Sequence, residues 1–160
     1  MINWMQLIVC IFIPLAIGFT SGWLTRHESR GPWYAALRKP SFNPPAAVFG
    51  PVWTCLYILM GISLYLVMTA EESGRQLLAL AAFAVQLVLN FAWSLLFFRY
   101  HKVTLAAVDI VLLWVSILVM IMLFYGIRPV AGWLQIPYLA WVTFATVLNL
   151  SIRHLNPSQE

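Results

Sequence analysis

The stretch VTLAAVDIVLLWVSILVMIMLFY, residues 103–125, carries a single charged side chain, Asp109, and neither glycine nor proline. An α-helix rises ~1.5 Å per residue, so a run of this length crosses ~30 Å of hydrocarbon. Four similar runs occupy 4–24, 46–68, 77–98 and 130–152, and nearly all the charge falls between them. The reading is an all-α membrane protein: a five-transmembrane-helix bundle forming one domain over 1–160, with a proline-rich loop at 25–45 between its first two helices.

Composition agrees. The 160 residues are 62% hydrophobic and 9% charged, more apolar surface than a soluble domain of this size can bury, so lipid must cover part of it. Of nine Lys and Arg, seven lie on one side: Arg26, Arg30, Arg38, Lys39, Arg99, Lys102 and Arg153. Arg75, beside Glu71 and Glu72, and Arg128 lie on the other. The bias predicts a cytosolic first loop and C-terminus, with the N-terminus outside. The net charge of +4 is then a basic collar, not a nucleic-acid signal. The first run has no Lys or Arg before Arg26 and exceeds an h-region in length, so it reads as a helix and not a signal peptide. Cys10 and Cys55 lie inside runs without a C-x-x-C pattern, which suits small core residues.

The loop is not an ordinary linker. Pro40, Pro44 and Pro45 stop any helix, yet Trp33, Tyr34, Leu37 and Phe42 need a surface to rest on. Together with Lys39 they read as a lid over the cytosolic end of the bundle. The later connections are short, which predicts sequential antiparallel neighbours from the second helix to the fifth. Pro14 and Pro137 inside their runs predict kinks. Gly18 and Gly22, four apart, predict close helix packing.

The unusual residues share a depth. At ~1.5 Å per residue, Trp53 lies about 10 Å from the cytosolic end, Asn90 roughly 13 Å and Asp109 about 9 Å. Gln86, Asn90, Trp93 and Phe97 share one helix face. Trp53 and Tyr57 share another, and Tyr138, Trp141, Ala145 and Asn149 a third. Ala145 between larger neighbours leaves room for a flat group. Asp109 is the only carboxylate in a span; it needs a basic residue at the rim or a helix-end N–H as partner. The sum is an aromatic-lined cavity, open toward the cytosol and capped by the lid, suited to a planar apolar guest with an anionic edge.

These residues carry a resemblance. Trp33-Tyr34-x-x-Leu37-x-Lys39-Pro40-x-Phe42-x-Pro44-Pro45 is followed by Gly50-Pro51-Val52-Trp53-Thr54-x-Leu56-Tyr57. Gln86-Leu87-x-Leu89-Asn90-x-Ala92-Trp93 and Pro137-Tyr138-Leu139-Ala140-Trp141-x-x-Phe144-Ala145-Thr146-x-Leu148-Asn149 come later. Together they resemble the TspO/MBR family of translocator proteins, tryptophan-rich sensory proteins and peripheral-type benzodiazepine receptors. The resemblance covers the loop and the last four helices. It implies a five-helix bundle, commonly dimeric, that binds porphyrins, sterols and benzodiazepine-type ligands. It places the pocket at Tyr34, Trp53, Asn90, Trp141 and Ala145, and implies light-dependent porphyrin breakdown through Trp53 and Trp141. Leu150 stands where animal relatives carry a sterol-contact tyrosine, so porphyrin ranks before sterol.

The expected ligand-binding set is therefore Tyr34, Pro45, Trp53, Tyr57, Gln86, Asn90, Trp93, Asp109, Tyr138, Trp141, Ala145 and Asn149. The expected partners are the bilayer, a porphyrin such as protoporphyrin IX as ligand, and a second copy of the chain, with no nucleic acid and no required cofactor. His27, His101 and His154 lack metal-ligand spacing, and no nucleophile–base pair or phosphate loop is visible. An enzyme would have to work through Trp53 and Trp141; a sterol or lipid translocator is the other alternative. A bacterial inner membrane is the expected location, an outer membrane, bacterial or mitochondrial, the alternative.

Overall fold

The computed structural model describes residues 2–71 and 74–157; Glu72 lies outside them. Five membrane-spanning segments form the bundle: Trp4–Thr25, Ala46–Met68, Gln76–Arg99, Val103–Ile127 and Pro129–Leu155. The helices in chain order are α1 (Trp4–Thr25), α2 (Pro32–Ala36), α3 (Ala46–Met68), α4 (Gln76–Ser94), α5 (Val103–Ile127), α6 (Pro129–Trp133) and α7 (Ile136–Leu155). No strand occurs among the described residues. The chain is a multi-pass membrane protein.

The last run is not one kinked helix. It breaks at Leu134–Gln135, and Pro137 falls in the first turn of α7. There its missing N–H is free of cost, whereas a proline disfavours helix in the residue before it. By contrast α1 continues through Pro14. A π-helical turn, Leu95–Arg99, follows α4 and turns Phe97 inward.

The helices do not follow one another round the bundle. α3 packs chiefly on α1, which also meets α4; α5 joins α4 to α6 and α7, and α6 returns to α3. The expectation that α3 and α4 are close neighbours fails: they touch only briefly. A short connection limits only the distance between helix ends. The stretch from Met68 to Gln76 can extend more than ~20 Å, enough to step past one helix ~8–10 Å wide.

α1 and α3 meet at the end of the bundle far from the loop. The Asn3 side chain caps α1 by accepting from the Gln6 N–H at 3.2 Å, while the Asn3 N–H donates to the Tyr65 hydroxyl at 3.0 Å. At Gly61 an added Cβ would lie 2.3 Å from the Ile11 Cα, so only glycine permits this contact. Gly18 hosts the Tyr57 ring: its Cβ would stand 2.0 Å from a ring carbon. Ser63 donates to the Ala131 carbonyl at 2.6 Å, fastening α3 to α6.

The loop between α1 and α3 is structured. After a 3-10 turn at Glu28–Arg30 and the short α2, it lies on the ends of α4, α5 and α7. Leu37 is buried with Phe97, Val103, Ala106, Leu148 and Ile152. Trp33 stacks on His101 at 4.0 Å, and Tyr34 meets Phe97 and Phe98 edge-on. His101 itself lies at φ 56, in the left-handed region a non-glycine residue seldom occupies. Glu28 pairs with Arg99, whose hydrogen bond holds the carboxyl below its usual range. The Arg38 N–H donates to Asn156 Oδ1 at 2.9 Å, and Asn156 Nδ2 donates back to the Arg38 carbonyl at 2.9 Å.

Candidate functional site

A cavity of ≈ 390 Å³ lies in the half of the bundle nearest the loop. That volume falls within the roughly 300–1,000 Å³ of small-molecule pockets. α3 contributes Phe49, Gly50, Trp53, Thr54 and Tyr57. Helix 4 and its π turn contribute Trp93, Ser94 and Phe98, and α7 contributes Trp141 and Ala145. The fourth wall is α1, with Leu15, Gly18, Phe19, Ser21, Gly22 and Thr25.

The aromatic rings brace one another. Trp53 stacks on Tyr57 at 5.4 Å and meets Tyr138 edge-on at 6.1 Å. Trp141 packs against Phe49 at 5.8 Å and Phe144 at 5.6 Å, while Trp93 stacks on Phe97 at 5.4 Å. Offset and edge contacts of this kind fix ring orientation as well as burying area.

Behind the wall runs a polar chain. The Tyr57 hydroxyl donates to Asn90 Oδ1 at 2.8 Å, Asn90 Nδ2 donates to the Tyr138 hydroxyl at 3.1 Å, and that hydroxyl donates to Gln86 Oε1 at 2.9 Å. Trp93 Nε1 donates to Asn149 Oδ1 at 2.9 Å, and Asn149 Nδ2 donates to the Val103 carbonyl at 3.2 Å. These bonds join α3, α4, α5 and α7 and hold the tryptophan and tyrosine rings in place. Replacing Asn90 by leucine leaves the Tyr57 hydroxyl without its acceptor and deprives Tyr138 of a donor. We expect a loss of about 1–3 kcal/mol, since hydrogen bonds inside membrane bundles are individually worth ~0.6 kcal/mol and seldom more than ~1.7. Thermal unfolding in lipid nanodiscs measures it as a lower Tm; an unchanged Tm removes the chain's structural role.

Of the residues singled out in the sequence, Trp53, Tyr57, Trp93, Trp141 and Ala145 come together on the cavity wall. Gln86, Asn90, Tyr138 and Asn149 are buried behind it. Tyr34, Pro45 and Asp109 stand apart from the lining. Tyr34 packs in the loop, where burial pushes its hydroxyl above the usual phenolic range. Pro45 caps the start of α3. Asp109 is 8% exposed, and its Oδ2 has no hydrogen-bond partner. Among the described residues neither a rim base nor a helix-end N–H reaches this oxygen; Asp109 lies beyond the first turn of α5, where backbone N–H groups are already bonded.

The lid is also placed differently from expectation. Trp33, Leu37, Lys39, Pro40, Phe42 and Pro44 do not line the cavity. Lys39 lies 4.4 Å over the Tyr34 ring and donates to the Tyr34 and Leu37 carbonyls, while Phe42 meets Phe144 edge-on. Pro40 borders a groove outside α7, and the Pro44 carbonyl accepts from Asn43. The loop is drawn to the ends of α4, α5 and α7, and packs against the cavity's wall residues Phe49, Trp93 and Phe98 from outside. The wall supplied by α1 was not read from the sequence. Its signal is Gly18, Ser21, Gly22 and Thr25, a stripe of small residues on one helix face hidden in an otherwise uniform run.

Chemically the wall asks for a flat apolar guest. Thr54 and Thr25 turn their hydroxyls onto their own helix, to the Gly50 carbonyl at 2.9 Å and the Ser21 carbonyl at 2.9 Å. The charges that adjoin the lining in sequence are Arg26, next to Thr25, and Arg99, next to Phe98; the Arg26 guanidinium lies 5.2 Å from the Trp23 ring, and Arg99 is paired with Glu28.

A model of the TspO/MBR family matches residues 10–155. The tryptophan-rich protein TspO of Chlorobaculum tepidum is 40% identical over 154 residues, covering 96% of this chain and 97% of the relative. The human translocator protein is 40% identical over 124 residues, 75% of this chain and 72% of the relative. The tryptophan-rich sensory protein of Cereibacter sphaeroides is 38% identical over 124 residues, 78% of this chain and 77% of the relative.

Proposed function

The chain belongs to the TspO/MBR family, and from that premise we propose that it is a membrane binding protein or sensor for porphyrins such as protoporphyrin IX. The observation that carries the reading is the meeting of Trp53, Trp93, Trp141 and Ala145 at one cavity inside a membrane-spanning bundle. Indole faces grip a planar macrocycle, and Arg26 offers a partner for its carboxylates. Binding needs no resident cofactor. The names of the relatives, sensory protein and translocator, suit a protein that holds a ligand and passes on its presence or its position.

Titration with protoporphyrin IX tests the proposal through quenching of tryptophan fluorescence. Saturable quenching is expected, with Trp53→Phe and Trp141→Phe each raising Kd by about tenfold, the loss of ~1.4 kcal/mol of contact. Equal Kd values in both variants and the original chain contradict it. Light-dependent breakdown of bound porphyrin is a second reading, favoured by the placement of Trp53 and Trp141 on the same wall. The charge bias supports a cytosolic loop and C-terminus in a bacterial inner membrane, and the family resemblance supports a homodimer.

A further inference from the structure

The lining residues that are exposed all lie on α1 and α3: Phe19, Gly22, Gly50 and Thr54. Those helices are locked together far from the loop, by Asn3 on Tyr65 and by the backbone contact at Gly61. Beyond Gly18 they part: a Cβ added to Gly22 or Gly50 meets nothing within 4 Å. The lips of this opening are Phe19 and Gly22 on α1 and Gly50 and Thr54 on α3. Phe19 is 77% exposed and lies inside a membrane span, six residues from the end of α1. At ~1.5 Å per residue that is about 9 Å from the helix end, at the depth of acyl chains. With the Thr54 hydroxyl folded onto Gly50, the lips present carbon to the bilayer.

At the loop end the wall residues Phe49, Trp93 and Phe98 are backed from outside by the docked loop, so a path there has to lift it. Opening it separates Trp33 from His101, Glu28 from Arg99 and Arg38 from Asn156. We infer that ligand enters sideways from the lipid leaflet on the loop side, through the gap between α1 and α3, with Phe19 swinging across the mouth while the loop stays docked. This rests on the cavity being the ligand site. A planar apolar compound concentrates in the bilayer, so a lateral mouth meets it where it is most abundant. With glycine on both lips, Phe19 is the one large side chain at the mouth.

The test is stopped-flow quenching by protoporphyrin IX with the full chain in nanodiscs. Gly22→Phe, which narrows the mouth, should slow association and dissociation together by about tenfold, a change of rate larger than the change in Kd. Phe19→Ala should speed both, which keeps the test decisive if the bulkier variant folds poorly. His101→Gly suits the backbone at φ 56 and removes the stack under Trp33, and it should leave both rates as they were. Rates insensitive to Phe19→Ala and Gly22→Phe, or association accelerated by His101→Gly, overturn the lateral route while binding itself stands. Failure of the original chain to quench saturably overturns the cavity reading and this inference with it.

Discussion

Replacing Gly61 by leucine is expected to separate α1 from α3 and leave little folded protein. The clash is with backbone: an added Cβ stands 2.3 Å from the Ile11 Cα and 2.8 Å from the Cys10 carbonyl oxygen. Neither can yield by changing rotamer. Overpacking a core usually costs about 1–3 kcal/mol, when side chains can shift. Here a whole helix must move, so the cost should reach or exceed the top of that range. Native domains hold only ~5–15 kcal/mol in reserve. The helix that would move carries one wall of the cavity, and binding should fail along with the fold. Size-exclusion profiles and thermal unfolding of the detergent-solubilised chain measure the effect. Gly22→Leu provides the contrast, because nothing lies within 4 Å of its Cβ. A Gly61→Leu chain that unfolds at the original temperature contradicts the proposed α1–α3 seam.

Replacing Ala145 by phenylalanine should abolish ligand binding while the bundle survives. Ala145 lies one turn along α7 from Trp141 and is part of the lining. A ring at this position projects into space bounded by Trp53, Trp93 and Trp141 and competes with a planar guest for the same volume. The residue is only partly buried, so the ring has somewhere to go and the cost in stability is small. A rise in Kd of about a hundredfold, roughly 2.7 kcal/mol, is expected for protoporphyrin IX, with Tm changed little. Unaltered affinity would mean that the guest binds elsewhere.

These effects rest on features of unequal legibility. The five spans were visible in the sequence because hydrocarbon imposes length and apolarity on any helix that crosses it. The convergence of Trp53, Asn90 and Trp141 could be found by counting depth along each helix, since the rise per residue is fixed. The order of helices around the bundle could not, because a seven-residue connection permits more than one neighbour. The role of α1 was hidden for a different reason. In lipid, apolar residues cover both the buried and the exposed faces, so hydrophobicity no longer marks the side that packs. Only the small residues Gly18, Ser21, Gly22 and Thr25 distinguish that face. Alanine illustrates the same difficulty on the third span: Ala79 is 0% exposed while Ala81 and Ala84 are exposed, a difference no composition reveals. The loop was recognisable as structured from its prolines and aromatics. Its resting place beside the cavity, and not across it, depends on Phe97 and Phe98, which a π-helical turn presents to Tyr34.

A structure of the chain with protoporphyrin IX bound puts the account to its most direct test. The macrocycle should lie between Trp53 and Trp141 beside Ala145, with its carboxylates toward Arg26 and the gap between α1 and α3. Density for the macrocycle on a lipid-facing groove, with the tryptophan-lined cavity filled only by its own side chains, would contradict it.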